Sequence, residues 1–227
     1  MQKDFVYIIV IFLGKSLMQQ SNNAQAIKEN ISLVRQLLSR CAEQFNPFES
    51  RIVSVLQLAC ISDYSSIIDC FYLFEDTELA KDHARRSGLG TLKDQEDFGL
   101  VYLKFYGLMN ACYLQQQAIL VCTDKLQLKT DLTQIKSNQI IQYRNDFAAH
   151  SPNRGRGQSE HSFILDRFGL LEGRVAGYTA NSCSGLVFRG ASLVNLLSEW
   201  DTAFQSALES VCTRIATLIQ MAYNEET

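Results

Sequence analysis

Four side chains that suit phosphodiester chemistry lie within one short stretch of the chain. Arg144 is followed directly by Asn145 and Asp146, and His150 comes four residues after Asp146. An arginine guanidinium holds phosphate oxygens through a rigid set of N–H donors, and a histidine exchanges a proton near neutral pH. We therefore take Arg144, Asn145 and His150 as candidate catalytic residues, with Asp146 as an auxiliary residue.

Spacing alone does not establish such a site. The chain has twelve arginines and three histidines in 227 residues. By chance alone, about 0.5 pairs of an Arg followed by a His with four to six residues between them are expected in such a chain. Arg154 and Arg156 both fall within this range of His161. A histidine at a helix C-terminus is also favoured by the helix dipole. The alternative interpretation is therefore that Arg144 and Asp146 are surface charges.

The helix that must position these residues is predicted over 132–149. Pro152 disfavours a helical conformation for the residue before it, so we expect this helix to end near His150. On a straight α-helix, Asp146 and His150 share a face and can hydrogen bond. Arg144 and His150 would stand roughly 120° apart on the same helix.

Apolar residues at steps of three and four predict the other helices, and a period of two predicts strands. Only two prolines occur in the chain, which favours helices. Long helices are predicted at 18–41, 49–73, 92–126 and 192–223, with a polar connector at 75–90. Short extended runs at 161–170, 174–180 and 186–189 predict a small β-hairpin or three-stranded meander.

The composition predicts one sizeable domain. Hydrophobic residues make up 47% of the chain and the net charge is −3, which argues against broad, non-specific coating of nucleic acid. We expect a single domain over 18–227 with a β-rich insertion at 161–190. The seven cysteines contain no CxxC pair, so we predict free thiols in a reducing cytoplasm, no zinc site and no cofactor.

Residues 1–17 form a separate apolar segment. The run Phe5–Leu13 has nine residues, too few to span a bilayer, which takes about 20. We expect a buried strand or first helical turns, or a natural start at Met18. A weaker alternative is a signal peptide and a secreted protein, since Ala24-Gln25-Ala26 imitates a cleavage site. The prediction is a cytoplasmic protein without a membrane span.

Two segments of the chain resemble the HEPN superfamily of helical domains, which includes RNA-cutting toxins and antiphage proteins. The first is Tyr102–Ala118, with the pattern YGxxxAxxxQQ. The second is Ile140–Asn145 with His150 and Pro152, which is similar to the family's arginine–polar–histidine motif followed by proline. It departs from the family's pattern in two ways: Ser151 stands between the histidine and the proline, and the first arginine of the pattern is replaced. The likeness extends over about residues 95 to 222.

The resemblance implies an antiparallel helical bundle that forms a homodimer, with Arg144 and His150 of both subunits lining one cleft. It implies a metal-independent endoribonuclease in which the ribose 2′-OH attacks the adjacent phosphate. His150 would transfer protons, Arg144 would stabilise charge on the phosphoryl oxygens, and Asn145 would orient the phosphate or the histidine. The family does not require Asp146, for which we expect an auxiliary role in tuning His150.

The resemblance also implies partners. RNA is the expected substrate, and Arg154 and Arg156 are candidate contacts to its backbone, with a solvated loop as the alternative. For Tyr106 and Tyr113 we expect core packing, with stacking on bases as the alternative. A toxin or antiphage effector would have an antitoxin or a nucleotidyltransferase as partner. The alternative function is a non-catalytic HEPN-like module for dimerisation or for binding a nucleotide or protein.

Overall fold

The chain is mainly helical, with a small antiparallel sheet before the C-terminal helix, as predicted. The structure, a computed structural model, describes residues 23–91, 93, 97–148, 161–181 and 185–224. Within these ranges the helices are α1 (Asn23–Gln44), α2 (Phe48–Val55), α3 (Ile61–Ser87), α4 (Phe98–Lys125), α5 (Thr133–Lys136), α6 (Gln139–Tyr143), α7 (Arg167–Leu171) and α8 (Leu193–Asn224). The strands are β1 (His161–Leu165), β2 (Arg174–Asn181) and β3 (Gly185–Ser192).

The polar connector predicted at 75–90 is wrong, because α3 continues as a helix to Ser87. Its charged residues pair along the helix: the Lys81 ammonium bonds the Glu78 carboxylate three residues earlier, and both side chains are buried. A polar sequence of this kind lacks the apolar stripe that predicts a helix. The residue after the helix is Gly88, whose φ of 63° suits the glycine that commonly follows a helix C-terminus.

The described residues divide into two compact units. The first comprises 23–76, 115–132 and 201–224. Its core includes the apolar stripe of α1, which buries Ile27, Ile31, Val34 and Leu38. Three rings pack edge to face: Phe74 lies 5.5 Å from Phe71 and 5.2 Å from Phe204, measured between ring centroids. Such pairs add to the stabilisation from burial alone.

The second unit comprises 77–114, 133–148 and 161–200 of the described residues. It contains the whole sheet, in the order β1-β2-β3 with both pairs antiparallel. The strand predicted over 161–170 ends at Leu165, because Asp166 accepts a hydrogen bond from Phe168 N and caps the short helix α7. This unit also contains every described residue of the arginine–histidine stretch.

Candidate functional site

The predicted continuous helix over 132–149 is wrong. It is replaced by the short helices α5 and α6 and then by one π-helical turn, Arg144–Ala148. The helix restarts because the Asn138 side chain accepts a hydrogen bond from Ile140 N at 3.2 Å, which is the action of an N-cap residue. We refer to Arg144–Ala148 as the motif turn.

A π-helical turn widens the backbone, since its hydrogen bonds join residues five apart instead of four. The angle of about 120° expected between Arg144 and His150 assumed a straight α-helix and does not apply to this turn. His150, Arg154 and Arg156 lie outside the described residues. The structure therefore describes three of the predicted site residues: Arg144, Asn145 and Asp146.

Arg144 is held by two neighbours in the second unit. Its guanidinium carbon lies 4.0 Å from the centre of the Tyr113 ring, which is a cation–π contact. Its Nη1 donates to Asn145 Oδ1 at 3.1 Å. That bond uses one of the five N–H donors of a guanidinium. The half-buried Arg144 is thus fixed in direction, and its guanidinium has further N–H donors that no residue described by the structure occupies.

Asp146 is joined to the sheet. Arg189 of β3 donates from Nη1 to Asp146 Oδ2 at 3.0 Å. The same guanidinium lies 5.8 Å from the centre of the Tyr143 ring. The predicted bond between Asp146 and His150 falls outside the described residues. The contact with Arg189 ties the carboxylate of the motif turn to β3, an edge strand of the sheet.

Tyr143, the residue before the motif turn, is buried. Burial raises the pKa of its phenol, the Arg189 guanidinium lowers that pKa, and the Asp146 carboxylate raises it. The net shift is upward, so the phenol stays neutral at ordinary pH. Tyr143 therefore packs at this site as a neutral phenol, with its ring 5.8 Å from the Phe147 ring between centroids.

The motif turn packs closely against the sheet at Gly177 of β2. A Cβ atom at Gly177 would lie 2.6 Å from Phe147 Cε1 and 2.3 Å from the Ile164 carbonyl oxygen. Phe147, in the middle of the motif turn, is 0% exposed. Only a residue without a side chain fits there, so Gly177 allows the Phe147 ring to lie directly against the strand.

The two candidate tyrosines of α4 differ in their surroundings. Tyr113 is half-buried and contacts Arg144, so it belongs to the site. Tyr106 is 38% exposed, and its ring stacks on Tyr102 with a centroid distance of 5.8 Å. The expectation of core packing is therefore wrong for Tyr106, since its ring lies at the surface and meets its neighbour one helical turn away.

Sequence reasoning missed Arg189 and Gly177. The sequence held a signal for Arg189: it is a charged residue within the apolar run Leu186–Phe188 and beside Gly190. An arginine in such a strand either faces solvent or needs a buried carboxylate partner. Which carboxylate it meets depends on the strand register, and that could not be read from the sequence.

The described residues contain no group of three or more His, Cys, Asp or Glu side chains arranged to hold a metal ion. No disulfide joins the cysteines in the described ranges, which are Cys41, Cys60, Cys70, Cys112, Cys122 and Cys212. Among the described helices, none combines the length and the apolar character needed to cross a bilayer. Comparisons of the chain with protein-family models, curated proteins and solved structures gave no match.

Proposed function

We propose that the protein is an endoribonuclease of HEPN type that cleaves RNA without a metal ion. The observation that carries this proposal is the arrangement of Arg144, which is oriented by the Tyr113 ring and by Asn145. Within the described part of the chain its other N–H donors are unoccupied, so they can bind a phosphate. His150 follows it by six positions in the sequence. An oriented guanidinium and a histidine supply the two functions that transesterification of RNA requires.

In the proposed reaction the ribose 2′-oxygen forms a bond to phosphorus while the bond to the 5′-oxygen breaks. The 2′-OH loses its proton and the leaving 5′-oxygen gains one. His150 carries out one of these transfers and the second His150 of the proposed dimer carries out the other, a role worth about 10²–10⁴ in rate. Arg144 stabilises the charge that builds up on the phosphoryl oxygens, because a charge-assisted bond strengthens as that charge develops. The products are a 2′,3′-cyclic phosphate and a 5′-hydroxyl.

The cleft is proposed to form between two copies of the chain, as in the family that it resembles. In a symmetric dimer each copy contributes the same surface, so two copies of Arg144 and His150 would share one cleft. We extend the proposal to a cytoplasmic toxin or antiphage effector that is restrained by an antitoxin or a nucleotidyltransferase partner. Arg154 and Arg156 would contact the RNA backbone beside the cleft.

The test is cleavage of single-stranded and structured RNA by the purified chain, in buffer with and without EDTA. We expect His150→Ala to slow cleavage about 10²–10⁴-fold and Arg144→Lys to slow it about 10²–10³-fold, because lysine keeps the charge but loses the planar fork. His83→Ala is the matched control, since His83 is an exposed histidine of α3. A 2′-deoxy substitution at the cleaved nucleotide should abolish the reaction. Cleavage at an unchanged rate by the His150 variant would contradict the proposal.

A second function is favoured by the contact between Asp146 and Arg189 together with the net charge of −3. Here the motif turn is structural, and the protein is a non-catalytic HEPN-like module that dimerises or binds a nucleotide or a protein. This function predicts no RNA turnover, and Arg144→Ala should weaken the dimer in analytical ultracentrifugation. RNA turnover that is lost in His150→Ala would rule it out.

A further inference from the structure

The outward face of the sheet carries a row of exposed apolar side chains that the proposed active site does not use. Ile164 of β1 is the partner of Tyr178 of β2, and Tyr178 is the partner of Phe188 of β3. Cross-strand partners lie on the same face of a sheet, and these three are 59%, 42% and 52% exposed. The Tyr178 and Phe188 rings meet edge to face, with centroids 5.4 Å apart.

The opposite face of the same strands is the one that holds the motif turn. Successive residues of a strand point to opposite faces, and Gly177 and Arg189 are the chain neighbours of Tyr178 and Phe188. Gly177 packs against Phe147, and Arg189 bonds Asp146. The exposed aromatic pair is therefore on the sheet that positions the candidate site but on its other face.

The sequence segment that contains the sheet differs in net charge from the remainder of the chain. Residues 133–192 contain seven basic and four acidic side chains, whereas the rest of the chain contains fourteen basic and twenty acidic ones. An excess of positive charge attracts a polyanion and raises its rate of association. A second copy of the chain at this face would bring two positively charged segments together, so the charge favours a nucleic acid over self-association.

The dimensions of the row suit stacked bases. Neighbouring strands are about 4.8 Å apart, so the row from Ile164 to Phe188 covers two strand spacings, or roughly 10 Å. Sheet-based RNA-binding modules stack two or three splayed bases on exposed aromatic side chains of this kind. Arg174 lies on the same face of β2, four residues before Tyr178. Arg174 forms a surface ion pair with Glu172. Because such pairs contribute little in water, the Arg174 side chain can leave Glu172 and bind a phosphate instead.

We propose that single-stranded RNA binds the outward face of the sheet, with bases stacked on Tyr178 and Phe188 and with Arg174 beside the backbone. The choice of RNA rests on the proposed function, but binding at this face does not require cleavage. The surface would hold an unpaired segment of the substrate on the face of the sheet opposite the motif turn.

The test is fluorescence anisotropy with a short labelled oligouridine at fixed salt, using the full chain with His150→Ala to prevent cleavage. In this background we compare Tyr178→Thr/Phe188→Thr, which keeps high strand propensity, with Tyr178→Phe/Phe188→Tyr, which keeps both rings. We expect the threonine pair to weaken binding about 5- to 150-fold per stacked base and the second pair to leave the Kd within about threefold. Val194→Ala is the control, since Val194 is 73% exposed and lies in α8 outside the sheet.

Several outcomes overturn the proposal. One is a Kd that the threonine pair leaves unchanged, and another is the absence of saturable binding by the parent chain. If the threonine pair converts a dimer to a monomer in size-exclusion chromatography while RNA affinity stays the same, the face is a protein interface. If the double threonine variant does not unfold cooperatively on heating, the single variants Tyr178→Thr and Phe188→Thr are measured in its place. Each of them should still weaken RNA binding.

The two proposals can fail separately. If the wild-type chain does not cleave RNA but the threonine pair loses binding, the RNA-binding face stands and the nuclease is refuted. If the wild-type chain cleaves RNA and the threonine pair, with His150 intact, has an unchanged KM and Kd, the nuclease stands and the face is refuted.

Discussion

Gly177→Ala is the substitution that most directly tests how the sheet supports the motif turn. The added Cβ would lie 2.3 Å from the Ile164 carbonyl oxygen and 2.6 Å from Phe147 Cε1, whereas real Cβ atoms almost never come within 3.0 Å of another heavy atom. The carbonyl belongs to the backbone of β1, within the β1–β2 ladder, and the ring is fully buried. Neither neighbour can move away without disturbing other contacts.

The expected cost is that of overpacking a close-packed interior, about 1–3 kcal/mol. For a chain of this size each kcal/mol lowers the melting temperature by about 2–4 °C. The measurement is equilibrium unfolding in urea, followed by circular dichroism. The free energies of unfolding of the variant and the wild type are compared with the same slope against urea concentration. Because Phe147 lies within the motif turn, we also expect Gly177→Ala to lower RNA cleavage by more than the loss of folded protein explains.

Gly107→Ala is the matched control. Gly107 lies on the exposed side of α4, and no atom of the described residues lies within 4 Å of its added Cβ. Alanine at this helical position should stabilise the protein by about 0.5–1 kcal/mol. Phe147→Leu added to Gly177→Ala should recover part of the lost stability, because it removes the clash between the added Cβ and the Phe147 ring. The recovery should be incomplete, because the clash with the Ile164 carbonyl oxygen stays. If Gly177→Ala unfolds within about 0.5 kcal/mol of wild type and cleaves RNA normally, the packing argument is refuted.

Three further predictions concern stability. Asn138→Ala removes the cap of α6 and should lower the free energy of unfolding in urea by about 0.5–2 kcal/mol. A free energy of unfolding equal to that of the wild type within the error of the measurement would contradict the capping role. Phe204→Ala leaves a cavity beside Phe74 and should cost about 3–5 kcal/mol, and a stable protein with a normal melting temperature would contradict that packing. The bond from Lys125 lowers the pKa of Asp63. The ion pair therefore stabilises the fold above about pH 4, the pKa of an unfolded aspartate. This stabilisation is lost as the pH falls through the lower pKa that Asp63 has in the folded protein. Asp63→Asn should flatten that part of the acid-unfolding curve, and an unchanged curve would contradict the assignment.

The parts of the fold that could be predicted from the sequence are those in which one helix face is buried. The C-terminal helix, predicted at 192–223, is observed at Leu193–Asn224. Its stripe is buried as expected, from Leu193 and Leu197 through Trp200 to Leu218. The meander was predictable for a similar reason, since short extended runs separated by turn residues have few other structures available to them.

The remaining elements depend on contacts between distant residues. Lys81 and Glu78 look like a solvated stretch in the sequence, and the helix is evident only once their ion pair is seen to be buried. The motif turn is another case, because a helical periodicity over 132–149 contains nothing that distinguishes one long helix from two short ones followed by a π-helical turn. The carboxylate partner of Arg189 likewise depends on the strand register.

The motif turn depends on the sheet for its conformation. The spacing of its residues in the sequence therefore does not predict by itself whether they form a functional site. Helices of four or five residues are too short to be stable by themselves, since helix formation begins with an unfavourable nucleus. α5, α6 and the motif turn are therefore held by tertiary contacts: the ring of Phe147 against Gly177, and Asp146 with Arg189. The direction in which Arg144 points follows from these contacts and from Tyr113. A change in the sheet should consequently alter the proposed chemistry without touching Arg144, and this coupling separates a positioned site from a chance pair of arginine and histidine.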